Sequence, residues 1–269
     1  VAAVQCSSRM GSERATAANV EKMEGLARQA AAGGARILVF PEAALTGYVS
    51  APFLHTWHAE GRRLPPGSGL AGIDPQGVAL TPDAEPVRRL ARVAGELGVY
   101  LTIPFVEAGG DGRYFNTVCL AAPSGEIVAR YRKTHLWEYI DGAWASRGDK
   151  PAVVDTEFGR VGLGVCYDIH RLSDLYAGSD LWAMLYSVAW YGHPTDGPTE
   201  RWFRQDLPTT YLGKGALRCY VIAANWSTDR EYKWDGAGYS SVYDASGERL
   251  AFLDSKIGDE ILYKDLRPA

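Results

Sequence analysis

The chain has 269 residues, a formal net charge of −4, and 46% hydrophobic and 22% charged residues. These values are typical of a globular protein and exclude the disordered and fibrous classes. The Lys and Arg residues are scattered along the chain, so we expect no nucleic-acid partner. No stretch approaches the roughly 18 consecutive apolar residues that a membrane span needs, and we therefore expect no membrane partner.

The four cysteines lie far apart and form no CxxC pair, which predicts neither a disulfide framework nor a zinc site. Cys6, Cys119 and Cys219 lie in apolar runs and are expected to be buried. The stretch from Val1 shows no basic and then apolar leader, and we expect a cytoplasmic protein. Because Val1 already lies in a predicted strand, the sequence leaves open where the protein originally begins.

The first part of the chain predicts a parallel unit. VAAVQC is a short apolar strand, and apolar residues at helical spacing from Val20 to Ala30 predict a helix that ends at Gly33. ARILVFPE predicts a second strand that stops at Pro41, because proline cannot donate to a sheet ladder. Strand, helix and strand form a parallel crossover. Gly and Pro residues from about 50 to 83 predict a long surface excursion.

The rest of the chain combines hairpins with further helix and strand units. EPVRRLARVAGELG predicts a helix before the strand VYLTIPFVEA, and YFNTVCLAAPSGEIVARYRKTHL predicts an antiparallel hairpin around PSGE. A second hairpin is predicted over GDKPAVVDTEFGRVGLGVCYD. A helix remnant followed by a strand is predicted over SDLWAMLYSVAWY. A helix is predicted from Pro208 to Leu217 before the strand CYVIAANW, and a last hairpin turns at DASGE. These two similar halves predict one α/β domain over residues 1–269, with mixed sheets inside and helices outside.

Cys166 differs from the other cysteines because it stands at the carboxyl end of a predicted strand and is followed by polar residues. Reactive groups in α/β proteins often lie just beyond strand ends. A sharp turn there would present the sulfur and aim the backbone N–H of Tyr167 at the same point, where it could hold an oxyanion. A thiol with a pKa of about 8.5 needs a base or a cation beside it. Glu42 and Lys133 follow two other strands and are the candidates.

The segments ILVFPEAALTGY, YFNT, GEIVARYRKTHLW and GRVGLGVCYD resemble the nitrilase, or carbon–nitrogen hydrolase, superfamily in order and spacing over nearly the whole chain. The resemblance implies a four-layer αββα sandwich and a catalytic triad of Glu42, Lys133 and Cys166. It also implies a small-molecule substrate, no cofactor or metal, and a homodimer or higher homo-oligomer. In that chemistry Glu42 moves the proton, Cys166 attacks, and Lys133 holds the oxyanion together with the N–H of Tyr167.

The chain departs from the family pattern at two places. Many members carry a second glutamate eight residues after the lysine, where this chain has Asp141. Asp141 could orient substrate or water from a shifted backbone, Glu138 could substitute, or the role could be lost. After the cysteine, members usually have a full helix that borders the pocket and takes part in dimer contacts. Here HRLSDLYAGSDLW is several residues short, which leaves substrate preference and assembly open.

The CYD motif favours amide hydrolysis, because true nitrilases usually have tryptophan directly after the cysteine. Nitrile or N-carbamoyl hydrolysis, and an altered homologue that acts as a binding or assembly protein, are the alternatives. Tyr48 and Trp190 are predicted substrate-binding residues. Trp190, together with Trp137, Trp144 and Tyr191, predicts an aromatic-lined pocket that prefers a bulky apolar acyl group, unless these rings only pack between sheet and helix.

Three other motifs have both a functional and a structural explanation. His170 could form a dyad with Cys166, or bind a metal with Asp168, but the spacing favours a polar turn. Residues 147–149 spell the integrin-binding tripeptide RGD, and we expect a loop that enters a strand. Residues 225–227 fit a glycosylation acceptor, and we expect a buried strand end.

Overall fold

A computed structural model describes residues 1–9, 13–47, 75–138, 140–190, 200–213, 216–229, 234–255 and 257–269. The predicted site residue Tyr48 and the neighbouring Tyr191 lie outside these described residues. Two six-stranded sheets form the centre of the fold, and a small two-stranded sheet accompanies them.

In chain order the strands are β1 (Ala2–Gln5), β2 (Ile37–Val39), β3 (Tyr100–Ala108), β4 (Tyr114–Ala121), β5 (Ile127–Arg132), β6 (Val153–Thr156), β7 (Gly159–Val165), β8 (Ala183–Ser187), β9 (Tyr220–Ala224), β10 (Thr228–Asp229), β11 (Trp234–Asp235), β12 (Ser241–Tyr243), β13 (Arg249–Phe252) and β14 (Glu260–Tyr263). The helices are α1 (Glu13–Ala32), α2 (Glu85–Leu97), α3 (Leu172–Leu175) and α4 (Trp202–Tyr211), the last with wide π-type turns. Short 3₁₀ turns occupy Pro75–Gly77, Asp141–Ala143 and Cys166–His170.

Both large sheets are mixed, as the sequence predicted. The first has the order β14-β1-β2-β3-β4-β5, and in it β1 pairs with β2 and β2 with β3 in parallel. The second has the order β13-β12-β9-β8-β7-β6, and in it β7, β8 and β9 are parallel neighbours. The remaining pairs in each sheet are antiparallel.

The packing produces four layers. The inner faces of the two sheets share one buried cluster, in which Val39 and Leu120 of the first sheet meet Leu163 and Leu185 of the second. The apolar faces of α1 and α2 cover the outer side of the first sheet, and α3 and α4 cover the outer side of the second. This arrangement confirms the αββα sandwich. It brings the carboxyl ends of β2, β5 and β7 to one end of the molecule.

The helix predicted from Pro208 to Leu217 was wrong in its position. The structure places the helix at Trp202–Tyr211, and the chain turns after it, because Gly213 has a φ of 78° and its N–H donates to the carbonyl oxygen of Leu217. A positive φ is easy for glycine and ends a helix. Leu217 therefore pairs with Leu212 instead of continuing the helix.

The segment after Cys166 is short, as expected from the sequence, and packs closely against β7. Its helix α3 has only four residues. Gly162 and Gly164 of β7 face this segment, and a Cβ at Gly164 would lie 2.9 Å from the side chain of Leu172. Glycine in the strand thus lets the shortened segment lie directly on the sheet. Within the described ranges, the helices lack the length and apolarity needed to cross a bilayer.

Gly148, the centre of the RGD tripeptide, packs directly against the end of β5. Its N–H donates to the carbonyl oxygen of Lys133 at 2.8 Å, and a Cβ there would lie 2.1 Å from the carbonyl oxygen of Arg132. The glycine is thus explained by close backbone contact.

Replacing Gly148 by alanine should lower the free energy of unfolding by about 1–3 kcal/mol, because backbone atoms must move to admit the methyl group. Urea denaturation measures this. The matched control is Gly25→Ala in α1, where no atom lies within 4 Å, and it should raise stability by about 0.5–1 kcal/mol. A Gly148→Ala protein as stable as wild type would show that the contact is not tight.

Candidate active site

Glu42 lies just beyond β2, fully buried at the end where the two sheets meet. The backbone turns there, since Ala43 has a φ of 52°, and the N–H of Glu42 donates to the carbonyl oxygen of Val188 at 3.2 Å. The indole N–H of Trp226 donates to the carbonyl oxygen of Glu42 at 2.7 Å. These contacts fix the backbone of Glu42 against the segments that follow β8 and β9 of the second sheet.

Lys133 follows β5 and is buried between two carboxylates. Its Nζ lies 2.8 Å from Oε1 of Glu42 and 2.6 Å from Oδ2 of Asp141, and only 1% of its side chain is exposed. Burial alone would lower the pKa of Lys133, but the carboxylates of Asp141 and Glu42 raise it well above its usual value. The site therefore contains a permanent ammonium group.

Asp141, and not Glu138, occupies the position beside Lys133. Asp141 begins a 3₁₀ turn and is 1% exposed, and its Oδ2 also accepts the backbone N–H of Trp137 at 3.0 Å. The side chain of Glu138 is 82% exposed and faces Arg147 at 3.8 Å. Of the alternatives left by the sequence, the structure brings only Asp141 to the lysine.

Asn116 joins the two carboxylates and was not singled out from the sequence. Its Nδ2 donates to Oε1 of Glu42 at 2.7 Å and to Oδ1 of Asp141 at 3.1 Å. Its backbone carbonyl accepts the N–H of Lys133 at 2.8 Å. The signal was present in the segment YFNT, which carried part of the family resemblance.

Cys166 stands on the sharp turn that its sequence context predicted. It follows β7 directly and has a φ of 42°, which is strained for a residue with a side chain. The hydroxyl of Tyr186, on β8, donates to the carbonyl oxygen of Cys166 at 2.5 Å. The cysteine is half-buried, whereas Cys6, Cys119 and Cys219 are buried, as expected.

The thiol of Cys166 is held in its protonated form. Burial raises its pKa well above the usual value, and the charge of Glu42 raises it further, while Lys133 and the backbone N–H of Ala189 lower it. The same N–H of Ala189 donates to Oε2 of Glu42 at 3.0 Å. The sulfur, the carboxylate and the ammonium thus act on one another, but the resting sulfur is a thiol and needs a base.

Asp168 connects the segments that carry Lys133 and Cys166. Its buried carboxylate accepts hydrogen bonds from the hydroxyl of Tyr131, the N–H and hydroxyl of Thr134, and the N–H groups of His135 and Val165. Burial raises the pKa of Asp168 to about 6, against the opposing effect of Lys133 and these donors. At neutral pH it is therefore mostly ionised and can accept from all of them.

Replacing Asp168 by asparagine should lower the free energy of unfolding by about 2 kcal/mol, because the amide nitrogen would face N–H donors and leave them unpaired. Thermal or urea denaturation measures this. The control is Asp155→Asn, since Asp155 is 76% exposed in its pair with Arg160 and should change stability by less than about 1 kcal/mol. Equal effects of the two substitutions would show that Asp168 does not brace the fold.

The alternative motifs fit structural roles. The imidazole of His170 lies edge-on to the rings of Tyr167 and Tyr211, at 4.5 and 4.8 Å between centroids. Among the residues with a described position, no group of three His, Cys, Asp or Glu side chains is arranged for a metal ion. Asn225 is fully buried, and its Oδ1 accepts the N–H of Trp190 at 2.7 Å, as a buried strand end requires.

Two other predicted pocket residues adjoin the site in the chain. Tyr167 and Trp190 are half-buried next to Cys166 and Ala189, respectively. Trp144 packs against an apolar cluster of Val78 and Val106, and its place in the pocket with Trp190 stays a prediction.

Comparison with known proteins gives consistent results. The family model described as Carbon-nitrogen hydrolase matches residues 1–269. Omega-amidase NIT2 of Homo sapiens is 27% identical over 260 residues, which cover 92% of this chain and 82% of that protein. The structure also resembles an amidase from Nesterenkonia sp. AN1, solved with acrylamide added to its active-site cysteine, with a TM-score of 0.74, 22% identity, and coverage of 98% of this chain and 92% of that one. The structure of Saccharomyces cerevisiae Nit3, a member of branch 10 of the nitrilase superfamily, is also similar, with a TM-score of 0.70 and 23% identity. The matched region covers 99% of this chain and 89% of Nit3. The chain therefore belongs to the carbon-nitrogen hydrolase family and is an enzyme that hydrolyses carbon–nitrogen bonds, as its motifs predicted.

Proposed function

We propose that the protein hydrolyses a small amide through a thioester on Cys166, with Glu42 as the proton carrier and Lys133 as the cation that holds the oxyanion. The observation that carries this proposal is the buried ammonium of Lys133, 2.8 Å from Glu42 and 2.6 Å from Asp141, next to a cysteine on a strained turn. A buried cation, a carboxylate and a thiol together supply what nucleophilic catalysis at a carbonyl group needs.

The first half of the reaction forms the thioester and releases ammonia. As the sulfur of Cys166 attacks the carbonyl carbon, its proton passes to Glu42, because the thiol is too weak an acid to ionise alone. Negative charge develops on the carbonyl oxygen and is held by Lys133 and the backbone N–H of Tyr167. Glu42 then gives the proton to the departing nitrogen, and the carbon–nitrogen bond breaks.

The second half consumes water. Glu42 takes a proton from a water molecule as its oxygen attacks the thioester carbon, and the same cation and N–H hold the second oxyanion. The carbon–sulfur bond breaks, and the sulfur recovers its proton from Glu42. The products are a carboxylic acid and the free thiol, so the site returns to its starting state.

Asn116 and Asp141 support this cycle by fixing their neighbours. The amide of Asn116 donates to Oε1 of Glu42, and the N–H of Ala189 donates to Oε2, so both oxygens are oriented. Asp141 balances the charge of Lys133 when Glu42 is protonated. We propose that Asp141 takes the role that a second glutamate has in other family members.

The choice of amides is supported by the relatives. One is named an omega-amidase, and the Nesterenkonia amidase has been solved with acrylamide and with butyramide. Nitrile and N-carbamoyl hydrolysis use the same thiol adduct and stay open as alternatives for the substrate.

The test is ammonia release from butyramide by the wild-type protein and by Cys166→Ala, with butyronitrile and an N-carbamoyl amino acid in the same panel. We expect release from butyramide that the alanine variant lacks. Equal release by both proteins would overturn the role of Cys166. Release only from the nitrile or the carbamoyl compound would move the function to that substrate class.

Three broader expectations also remain proposals. We propose a single domain over residues 1–269, a homodimer or higher homo-oligomer, and a cytoplasmic location. Limited proteolysis tests the first, analytical ultracentrifugation the second, and imaging of a tagged protein in its own cells the third.

A further inference from the structure

Half-buried rings form a continuous stripe over the surface at the end of the second sheet. In order of contact, the members of this aromatic stripe are His135, Tyr167, His170, Tyr211, Trp202 and Trp190. The successive ring centroids lie 5.1, 4.5, 4.8, 5.4 and 4.7 Å apart. These distances are those of favourable stacked and edge-to-face contacts.

The stripe borders the nucleophile. Tyr167 is the residue after Cys166, and Trp190 follows Ala189, whose N–H donates to the carboxylate of Glu42. Cys166 and Trp190 pack against the same buried cluster. A substrate whose carbonyl group lies at the sulfur therefore has rings of the stripe near it.

The rings of the stripe are held by mutual contacts, and its two histidines are uncharged at neutral pH. The backbone N–H of Trp190 is fixed by Asn225 at 2.7 Å, and Trp190 and Trp202 are nearly parallel, with an angle of 17° between their planes. Desolvation and neighbouring positive charges lower the pKa values of His135 and His170, so both imidazoles are neutral at pH 7. Rigid, uncharged rings with partly exposed faces bind flat apolar groups.

We propose that the aromatic stripe is the binding surface for the acyl part of the substrate, and that the protein prefers amides whose acyl group carries an aromatic ring. The inference rests on the proposed function, since it places the substrate carbonyl at Cys166. An acetyl group would reach few of these rings, whereas a phenylacetyl group extends along them.

The experiment compares kcat/KM for phenylacetamide and acetamide, by ammonia release, in the wild type, Trp202→Leu and Phe158→Leu. Trp202 contacts three other members of the stripe, His170, Tyr211 and Trp190. Phe158 is a half-buried ring in the turn at the opposite end of β7 from Cys166, packed against Trp182 at 6.3 Å, and it is the matched control. We expect the wild type to prefer phenylacetamide by about tenfold or more. Trp202→Leu should reduce this ratio about fivefold, through the loss of ring contacts, and Phe158→Leu should keep it.

The outcomes separate the inference from the proposed function. Acetamide cleaved as fast as phenylacetamide, or an unchanged ratio in Trp202→Leu, would overturn the inference alone. No turnover of either amide, together with no acyl group on Cys166, would overturn the proposed function and the inference with it.

A second measurement does not depend on the folding of Trp202→Leu. In Cys166→Ser, tryptophan fluorescence reports the binding of each amide to a site that retains all the rings of the stripe. Tighter binding of phenylacetamide than of acetamide is expected. Equal or weaker binding of phenylacetamide would overturn the inference.

Discussion

Replacing Lys133 by methionine should reduce amide turnover by about 10²-fold or more and also destabilise the fold. The loss of turnover follows from removing a donor to the oxyanion. The loss of stability, about 3–5 kcal/mol, follows because Glu42 and Asp141 would remain buried together without a cation. Initial rates with butyramide and urea denaturation measure the two effects.

The two effects can be separated with a second substitution. Lys133→Met combined with Asp141→Asn removes one of the unpaired buried charges and should recover part of the stability, but no turnover. Lys22→Met is the surface control, since Lys22 is 30% exposed in its pair with Asp259 and should change neither property strongly. Turnover of the double variant near that of the wild type would show that Lys133 serves only the fold.

Replacing Glu42 by glutamine should have opposite effects on turnover and on alkylation of the sulfur. Turnover should fall about 10²–10⁴-fold, because the group that carries the proton is lost. Alkylation of Cys166 by iodoacetamide at neutral pH should become faster than in the wild type. The reason is that the negative charge of Glu42 raises the pKa of the thiol, while Lys133, which stays, lowers it. Removing the carboxylate thus lowers the thiol pKa and increases the thiolate fraction at a given pH.

The pH dependence provides the control for this prediction. In the wild type the alkylation rate should rise with pH well above neutrality, because the pKa of Cys166 is raised. In Glu42→Gln the rise should occur at lower pH. A shift in the other direction, or alkylation that slows in parallel with turnover, would contradict the assigned charge interaction between Glu42 and Cys166.

Much of the architecture could be predicted because local signals agreed with the global fold. Pro41 ends β2, the glycines after α1 end that helix, and PSGE and DASGE form the expected hairpin turns. The strand before Cys166 and the polar residues after it predicted the sharp turn, which the φ of 42° confirms. Glu42 and Lys133 could be predicted as residues at strand ends. They lie close together because the sandwich brings the carboxyl ends of β2 and β5 to the same end of the molecule.

The features that the sequence did not reveal depend on contacts between distant segments. Asn116 meets Glu42 across 74 positions of the chain, and nothing local in YFNT indicates two carboxylate partners. The sequence predicts Asp168 only as a turn residue or metal ligand, but its partners Tyr131 and Val165 come from different sheets. The aromatic stripe likewise combines rings from four separate segments. The predicted position of α4 was wrong because the turn at Gly213, and not a pattern of apolar residues, sets the end of the helix.

Rapid-quench mass spectrometry of the wild-type protein mixed with butyramide at neutral pH tests the role of Cys166 most directly. We expect a mass increase on the peptide that contains Cys166, equal to butyramide minus ammonia. This adduct should form and decay at rates consistent with kcat. Turnover without that adduct, or an acyl group on any other residue, would contradict the central claim that the thiol of Cys166, served by Glu42 and Lys133, attacks the substrate.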